Sequence, residues 1–301
     1  MLRALLCLVL LARVASADPV KLRLGTVAID GTKYMEDIAA FSADVAKRTK
    51  GAVELAWYPS GQLGDEKQML ALIREGKLDG AGFSENGLVA AVPEMAAWRY
   101  PGLFASYADV DRATAALDPE VRELFAKQDL VFAMWADLGF ANVFAADAPP
   151  ASLRELLVRA APWLTQPLEP ALFAAVVAGK ARAWAMPPLY MFALGQVQPR
   201  AVSRLPYRYV IGGLVIAQPA WARLTAEQQA AVTAACAVWE PKLRARWRRE
   251  TDAAIATLAK AGARVTTPTA GELAAFFAAA TAGRGAQPPP LLAHIVTAIA
   301  R

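Results

Sequence analysis

The residues Pro59-Ser60-Gly61-Gln62-Leu63-Gly64-Asp65-Glu66, continuing into Glu75-Gly76-Lys77-Leu78-Asp79-Gly80-Ala81-Gly82-Phe83-Ser84-Glu85, decide the fold. Gly61 and Gly64 bracket a turn that small residues enter most easily. Asp65 and Glu66 follow in a first helical turn, where negative charge suits the helix dipole. Met69, Leu70, Leu72 and Ile73 form an apolar helix face. Gly76 ends the helix, with Lys77 at its negative end. Asp79 to Phe83 is small and apolar enough for a buried parallel strand. Ser84, Glu85 and Asn86 then fall at the carboxyl end of that strand, where open α/β sheets bind ligands.

On the N-terminal side, Val20 to Val27 alternates Leu22 and Leu24 with Lys21 and Arg23, which reads as a strand. Asp30-Gly31 turns the chain. A helix is predicted from about Lys33 to Lys50, with Tyr34, Ile38, Phe41 and Val45 on one face and Gly51 as its stop. Val53 to Tyr58 is the next strand. This β-α-β-α-β order calls for a parallel sheet with right-handed crossovers.

On the C-terminal side, Glu85 to Ala97 reads as a surface segment. Helices are predicted over Asp109–Leu117 and Pro119–Lys127, and a strand over Leu130 to Trp135. Asp137-Leu138-Gly139 is a candidate crossing into a second domain. Phe173 to Gly179 and then Lys180 to Met186 repeat the helix-glycine-strand order of the opening stretch. Tyr207 to Ala217 is strand-like, and Gly212-Gly213 inside it marks a return to the first domain. Thr225-Ala226-Glu227-Gln228 is a capping box. It opens a long helix with Val232, Cys236, Trp239, Leu243 and Trp247 on one face, which Pro241 is expected to kink near Ala237. That helix runs towards Lys260 and Gly262. Gly283 to Pro290 reads as a loop and Leu291 to Ala300 as a last helix.

Read together, "PSGQLGDEKQMLALIREGKLDGAGFSEN" and its surroundings from Lys21 to Val265 resemble the DctP-type substrate-binding proteins of TRAP (tripartite ATP-independent periplasmic) transporters. The resemblance implies an α/β, two-domain, type II periplasmic-binding-protein-like fold with a long domain-spanning helix. The second domain looks shortened. Only Ala160-Ala161-Pro162-Trp163-Leu164-Thr165-Gln166-Pro167 stands where the family has a helix and a short strand. The expected division is a signal peptide at 1–17, a first domain at 18–137 plus about 213–243, and a second at 138–212 plus about 244–301.

Composition narrows the function. The chain has 301 residues, and Met1 to Ala17 has a positive start, an apolar run and an Ala15-Ser16-Ala17 ending. That is the pattern of a cleaved secretory signal, too short to span a bilayer. It implies a periplasmic protein that is not membrane-embedded. Removing Arg3 and Arg13 takes the net charge from +5 to +3 (5 − 2), too mild to argue for a nucleic-acid partner. Cys7 leaves with the signal, so Cys236 remains alone and no internal disulfide can form. His294 is the sole histidine, which leaves Ser/His/Asp and His-based zinc chemistry without a foundation. No catalytic residue, metal or cofactor is expected.

The resemblance also proposes ligand groups. Arg159, in Leu157-Val158-Arg159-Ala160, matches a strand arginine that clamps carboxylates in the family, and a guanidinium fork suits that task. A strand-end arginine in a surface ion pair is the competing reading. Glu85 matches a glutamate that some members use at the end of the third strand. It could take hydrogen bonds from a ligand or partner a cleft arginine. An exposed loop carboxylate is the alternative. Other polar anchors are missing: Gly139-Phe140-Ala141-Asn142 lacks a second arginine, and Ala185-Met186-Pro187-Pro188 lacks an amide. Large apolar groups abound instead, namely Trp57, Phe83, Trp163, Trp184, Met186, Tyr190, Met191 and Phe192, any of which could equally be core. Tyr34 joins Phe83, Trp163, Trp184 and Met186 in the candidate ligand-binding set. The expectation is a receptor that passes a hydrophobic or amphipathic carboxylate to TRAP membrane subunits. A degenerate binding module acting as sensor or assembly partner, and an exported enzyme, are the alternatives.

Overall fold

The computed structural model describes residues 18–147, 149–164, 170–193, 197–285 and 289–300. The expected signal peptide, Cys7 and the stretch Thr165–Pro167 lie outside the described residues. Strand β1 (Val20–Thr26), helix α1 (Lys33–Arg48), β2 (Val53–Tyr58), α2 (Glu66–Arg74) and β3 (Gly80–Ser84) follow the expected order. β1 pairs in parallel with both β2 and β3. Met35, Ile38, Phe41 and Val45 are the buried apolar face of α1. Asp65 caps α2 and exchanges hydrogen bonds with Gln68 in a capping box. Gly64 sits at φ +92°, a conformation that an L side chain rarely adopts.

The expected surface segment is a correction. Residues Glu85–Ala91 form helix α3, and Pro93–Arg99 a 3-10 helix. Leu88, Ala91, Val92, Met95, Ala97 and Trp98 are buried there. The charges of Glu85 and Glu94 disguise an apolar spacing that docks on the sheet. A second correction concerns Tyr107–Ala126, which is one helix, α4, with Pro119 inside it. Val110, Ala113, Leu117, Val121 and Phe125 make a continuous buried stripe. That packing outweighs the hydrogen bond Pro119 cannot donate.

Two strands organise the rest. β4 (Leu130–Ala145) and β6 (Ala201–Ala217) form a long antiparallel ladder. At one end β3 pairs with residues 212–216 of β6 and attaches β1 and β2. At the other end β5 (Ala183–Met186) lies on β4, and β7 (Arg264–Thr266) lies on β6. Two hydrophobic cores divide along this ladder. Phe140, Tyr209 and Ile211 belong to the first, and Ala141, Val143 and Tyr207 to the second. The ladder shifts register between Asp137 and Gly139. Gly139 has φ +92°, and a Cβ there would lie 3.0 Å from Thr251 Oγ1. Asp137 beside it accepts hydrogen bonds from the Tyr209 hydroxyl at 2.5 Å and from Arg248 Nε at 3.0 Å.

Helix α5 (Leu153–Leu164), α6 (Pro170–Val177) and α7 (Leu189–Ala193) cover the second core, and α8 (Gln218–Trp221) follows β6. Helix α9 (Ala226–Lys260) begins at the expected Thr225 capping box and continues through Pro241. Its 35 residues correspond to a length of about 50 Å. Val232, Cys236 and Leu243 pack in the first core, while Ile255 and Leu258 pack in the second. Helices α10 (Ala270–Ala282) and α11 (Pro290–Ile299) close the chain. Neither β7 nor α10 is foreseen by the sequence reading. The alanine-rich run of α10 shows no strong periodicity. Among the described residues, no helix is long and apolar enough to cross a membrane.

Candidate functional site

Glu66, the first residue of α2, does more than complement a dipole. Its carboxylate accepts Ser84 N at 2.5 Å, Ser84 Oγ at 2.7 Å and Gly87 N at 2.9 Å. A buried anion thereby ties α2 to the start of α3 and fixes the turn where β3 ends. Burial pushes the Glu66 carboxyl up, against the hydrogen bonds from Ser84 and Gly87.

That turn presents Glu85. Its Oε2 accepts from Arg208 Nη1 at 2.5 Å, and both side chains are almost wholly buried. Its Oε1 is buried and accepts no hydrogen bond, with Arg99 Nε 4.0 Å away. Arg208 lies on β6, opposite Ala141 of β4. The ion pair therefore joins the carboxyl end of β3 to the ladder position where the two cores meet. Asn86 accepts from Arg99 Nη2 at 2.5 Å.

Two tyrosines on different elements feel the carboxylates at this end of β3. Tyr34 of α1 packs edge-on against Trp247 of α9, with centroids 4.2 Å apart. Tyr190 of α7 stacks on Phe173 at 6.0 Å. Both keep part of their surface exposed, and neither hydroxyl forms a hydrogen bond among the described residues. Burial and the Glu66 charge push Tyr34 up to about 12. Burial pushes Tyr190 up too, followed by Glu66, Tyr34 and Glu85, with Arg208 working the other way. Tyr190 of the second core thus shares an electrostatic environment with Glu66, Glu85 and Tyr34 of the first. The buried Glu85–Arg208 pair at the end of β3 is therefore a charged group that the Tyr190 phenol feels from across the two cores.

The other sequence candidates are placed as follows. Arg159 is expected on a strand but lies within α5. It pairs there with Asp147 at 3.2 Å and with Glu155 one helical turn away. Leu156 and Ala160, four residues apart, are the buried face of that helix, so packing selects the helical period over the β-like Leu157-Val158 pair. Trp184 and Met186 are fully buried in the second core, where Trp184 stacks on Phe144 at 5.9 Å. Phe83 is buried in the first core. Trp163 is partly exposed against the second core. Tyr34 packs against Trp247, while Glu85 is brought together with Arg208, which sequence reasoning passes over. Its signal was a lone charge inside the apolar run Leu205–Ala217. Asn142, noted only for what it lacks, donates to the Ser203 and Leu205 carbonyls at 3.1 and 3.2 Å. Cys236 is buried, with its thiol pushed up to about 12 by burial. His294 of α11 is paired with Glu120 at the surface.

The model of the bacterial extracellular solute-binding proteins of family 7 matches residues 24–161 and 170–283. A "Solute-binding protein" of Chromohalobacter salexigens is 29% identical over 116 residues, 37% of this chain and 34% of that protein. An uncharacterized Salmonella typhimurium protein is 28% identical over a stretch of the same length, covering 35% of it. These matches thus span about a third of the curated relatives' length. Among solved structures, a Bordetella pertussis extracytoplasmic solute receptor binding pyroglutamic acid superposes with TM-score 0.78, at 18% identity over 93% of this chain and 99% of that one. A Chromohalobacter salexigens TRAP periplasmic solute-binding protein with bound D-glucuronate gives 0.77, at 19% identity over 92% and 98%. At such identities these neighbours establish the two-domain periplasmic-binding-protein architecture.

Proposed function

The chain belongs to family 7 of the bacterial extracellular solute-binding proteins, and from that premise we propose that it is a periplasmic receptor for an amphipathic organic acid. The family consists of solute-binding receptors, not enzymes. The observation that carries the reading for this chain is the buried, half-satisfied Glu85–Arg208 pair where the two cores meet, and we place the ligand crevice there, with Tyr34 and Tyr190 towards it. A buried charge pair supplies a polar anchor, and the rings of Tyr34, Trp247, Tyr190 and Phe173 supply apolar wall. A ligand with one acidic end and an apolar body fits that division. Solved relatives have bound polar acids such as D-erythronate and galactonate, which shows what the architecture accommodates elsewhere.

In this reading the segments before Asp137–Gly139, with about 213–243, form one domain, and the remainder the other. The β4–β6 ladder and α9 are the connections that flex as the crevice closes. Closure is driven by the ligand's preference for the closed state, and the closed protein is presented to TRAP-type membrane subunits. Residues 1–17 serve as the cleaved export signal.

The test is native mass spectrometry of protein purified from its own host, followed by extraction and identification of released molecules. An amphipathic acid is the expected finding. A small dicarboxylate would sink the apolar preference. An empty protein that no organic acid stabilises against heat would favour a degenerate module instead. Saturating ligand at about a hundredfold over Kd stabilises the folded state by about 2.7 kcal/mol, which a melting curve resolves.

A further inference from the structure

We propose that Arg208 is the carboxylate anchor of the crevice, and that Glu85 Oε1 reads a hydrogen-bond donor carried next to that carboxylate. The site then selects 2-hydroxy or 2-amino monocarboxylates with an apolar remainder. This rests on the receptor reading above and deepens it by naming the groups that choose the ligand.

The first support is an incomplete hydrogen-bond inventory. A carboxylate has about four lone-pair sites, and a buried one is normally well supplied. Among the described residues Glu85 receives one hydrogen bond, on Oε2, while Oε1 is buried and accepts none. Arg99 Nε at 4.0 Å is beyond hydrogen-bond reach of it. An acceptor left in this state has lost its water without gaining a partner, which is costly unless another group arrives to fill it.

The second support is the unused fork of Arg208. A guanidinium carries five N–H donors and can hold carboxylates on separate edges. Among the described residues Arg208 donates only through Nη1, to Glu85. Its remaining N–H groups are the donors a second carboxylate would take, leaving Glu85 in place to receive a neighbouring hydroxyl or ammonium hydrogen.

Charge agrees. Two guanidiniums, Arg208 and Arg99, flank the single carboxylate of Glu85. The Glu66 carboxylate is committed to Ser84 and Gly87. An anion arriving at Arg208 therefore enters a site with a guanidinium on either side of Glu85. Arg159 has the opposite surroundings. Asp147 and Glu155 both contact it, and Asp147 also holds Arg182, so two carboxylates already match two arginines.

The test is isothermal titration of the purified protein with 2-hydroxy-3-phenylpropanoate, phenylalanine, 3-phenylpropanoate and 2-hydroxy-3-phenylpropanamide. The hydroxy acid or the amino acid should bind best. Loss of the 2-substituent should weaken binding about tenfold, and conversion of the acid to the amide about a hundredfold. In Arg208→Gln the acid and the amide should become equally weak. In Glu85→Gln the preference for acid over amide should persist, while the preference for a 2-substituent shrinks. If a single variant fails to fold, the Glu85→Gln/Arg208→Gln pair keeps a neutral hydrogen bond in place and should show both losses. Arg159→Gln should bind as the wild type does. Full acid affinity in Arg208→Gln or in the double variant would overturn the assignment, as would its loss in Arg159→Gln alone. A wild-type protein that takes none of the four compounds would overturn the ligand class, while the receptor reading itself stands or falls on what is extracted from the host-purified protein.

Discussion

Asp79 and Glu85 stand at opposite ends of β3, and both are buried carboxylates flanked by two arginines. The resemblance stops there. Asp79 Oδ2 accepts from the backbone N and the Nε of Arg23 at 2.8 and 2.9 Å. Its Oδ1 accepts from Arg223 Nη2 at 2.7 Å and Arg23 Nη2 at 3.3 Å. Every face of that anion is used, and the result is a tie between β1, β3 and the end of α8. Glu85 has one oxygen occupied and one empty. A satisfied buried carboxylate describes architecture, whereas a half-satisfied one describes a vacancy for something outside the chain. The arginines differ in the same sense. Those around Asp79 are 39% and 46% exposed and can turn to water, but Arg208 is 5% exposed and cannot.

That contrast orders the mutational outcomes. Glu85→Ala leaves Arg208 buried without its partner and should cost about 3–5 kcal/mol in urea unfolding. Asp79→Ala frees arginines that solvate readily and should cost only about 2 kcal/mol. The reverse ranking would mean that the two carboxylates do not differ in this way. Replacing the whole pair as Glu85→Leu/Arg208→Met should leave stability within about 1 kcal/mol of wild type, because apolar pairs often replace buried ion pairs without loss. Binding of organic acids should vanish in that variant. A stable, still-binding double variant would show that the pair is structural after all.

The two ends should also part in acid. Burial pushes Asp79 up, but the hydrogen bonds from Arg23 and the charges of Arg223 and Arg23 outweigh it and hold the carboxyl below its ordinary value. A folded-state pKa below the unfolded value of about 3.9 stabilises the protein above that pH, and the contribution is lost as pH falls through the folded value. Urea midpoints collected from neutral pH downward should therefore show a drop below about pH 4 that Asp79→Asn reduces. An unchanged acid limb in that variant would remove Asp79 from the account.

Much of the first core was legible because its signals are local. Val53–Tyr58 is bounded by a glycine turn and a proline, and the capping box at Thr225 announces a helix start within four residues, while Asp65, read as part of the first turn of α2, is its N-cap. The α5 segment misled because the family resemblance put Leu157-Val158-Arg159 on a strand, whereas the buried Leu156 and Ala160 set a helical period. Residues 85–99 misled because charge at Glu85 and Glu94 masked a buried stripe. The site was hardest. Glu85 and Arg208 are 123 positions apart, and the pairing appears only once β3 has docked against β6. No local pattern encodes such a meeting. What the sequence did hold was an arginine in a strand otherwise fit for a core, a residue type that is rarely buried without a partner.

Tyr34 offers the gentlest probe of the same vacancy. Its hydroxyl is pushed up to about 12 by burial and by the charge of Glu66. An unfolded tyrosine ionises near about 10, so between those two values the folded chain keeps a proton that the unfolded chain releases. Stability should therefore be unaffected below about pH 10 and fall as pH rises towards 12. Tyr107, also pushed up to about 12 by burial, contributes to the same fall. Tyr34→Phe should make it shallower and remove one late-ionising phenol from an ultraviolet absorbance titration. An acid seated on Arg208 adds negative charge near Tyr190, on which Arg208 acts, and should delay that phenol further while leaving Tyr107 as it was. A phenol at Tyr34 that titrates at the ordinary value, with or without an acid, would mean that the crevice is open to water rather than closed around the charges.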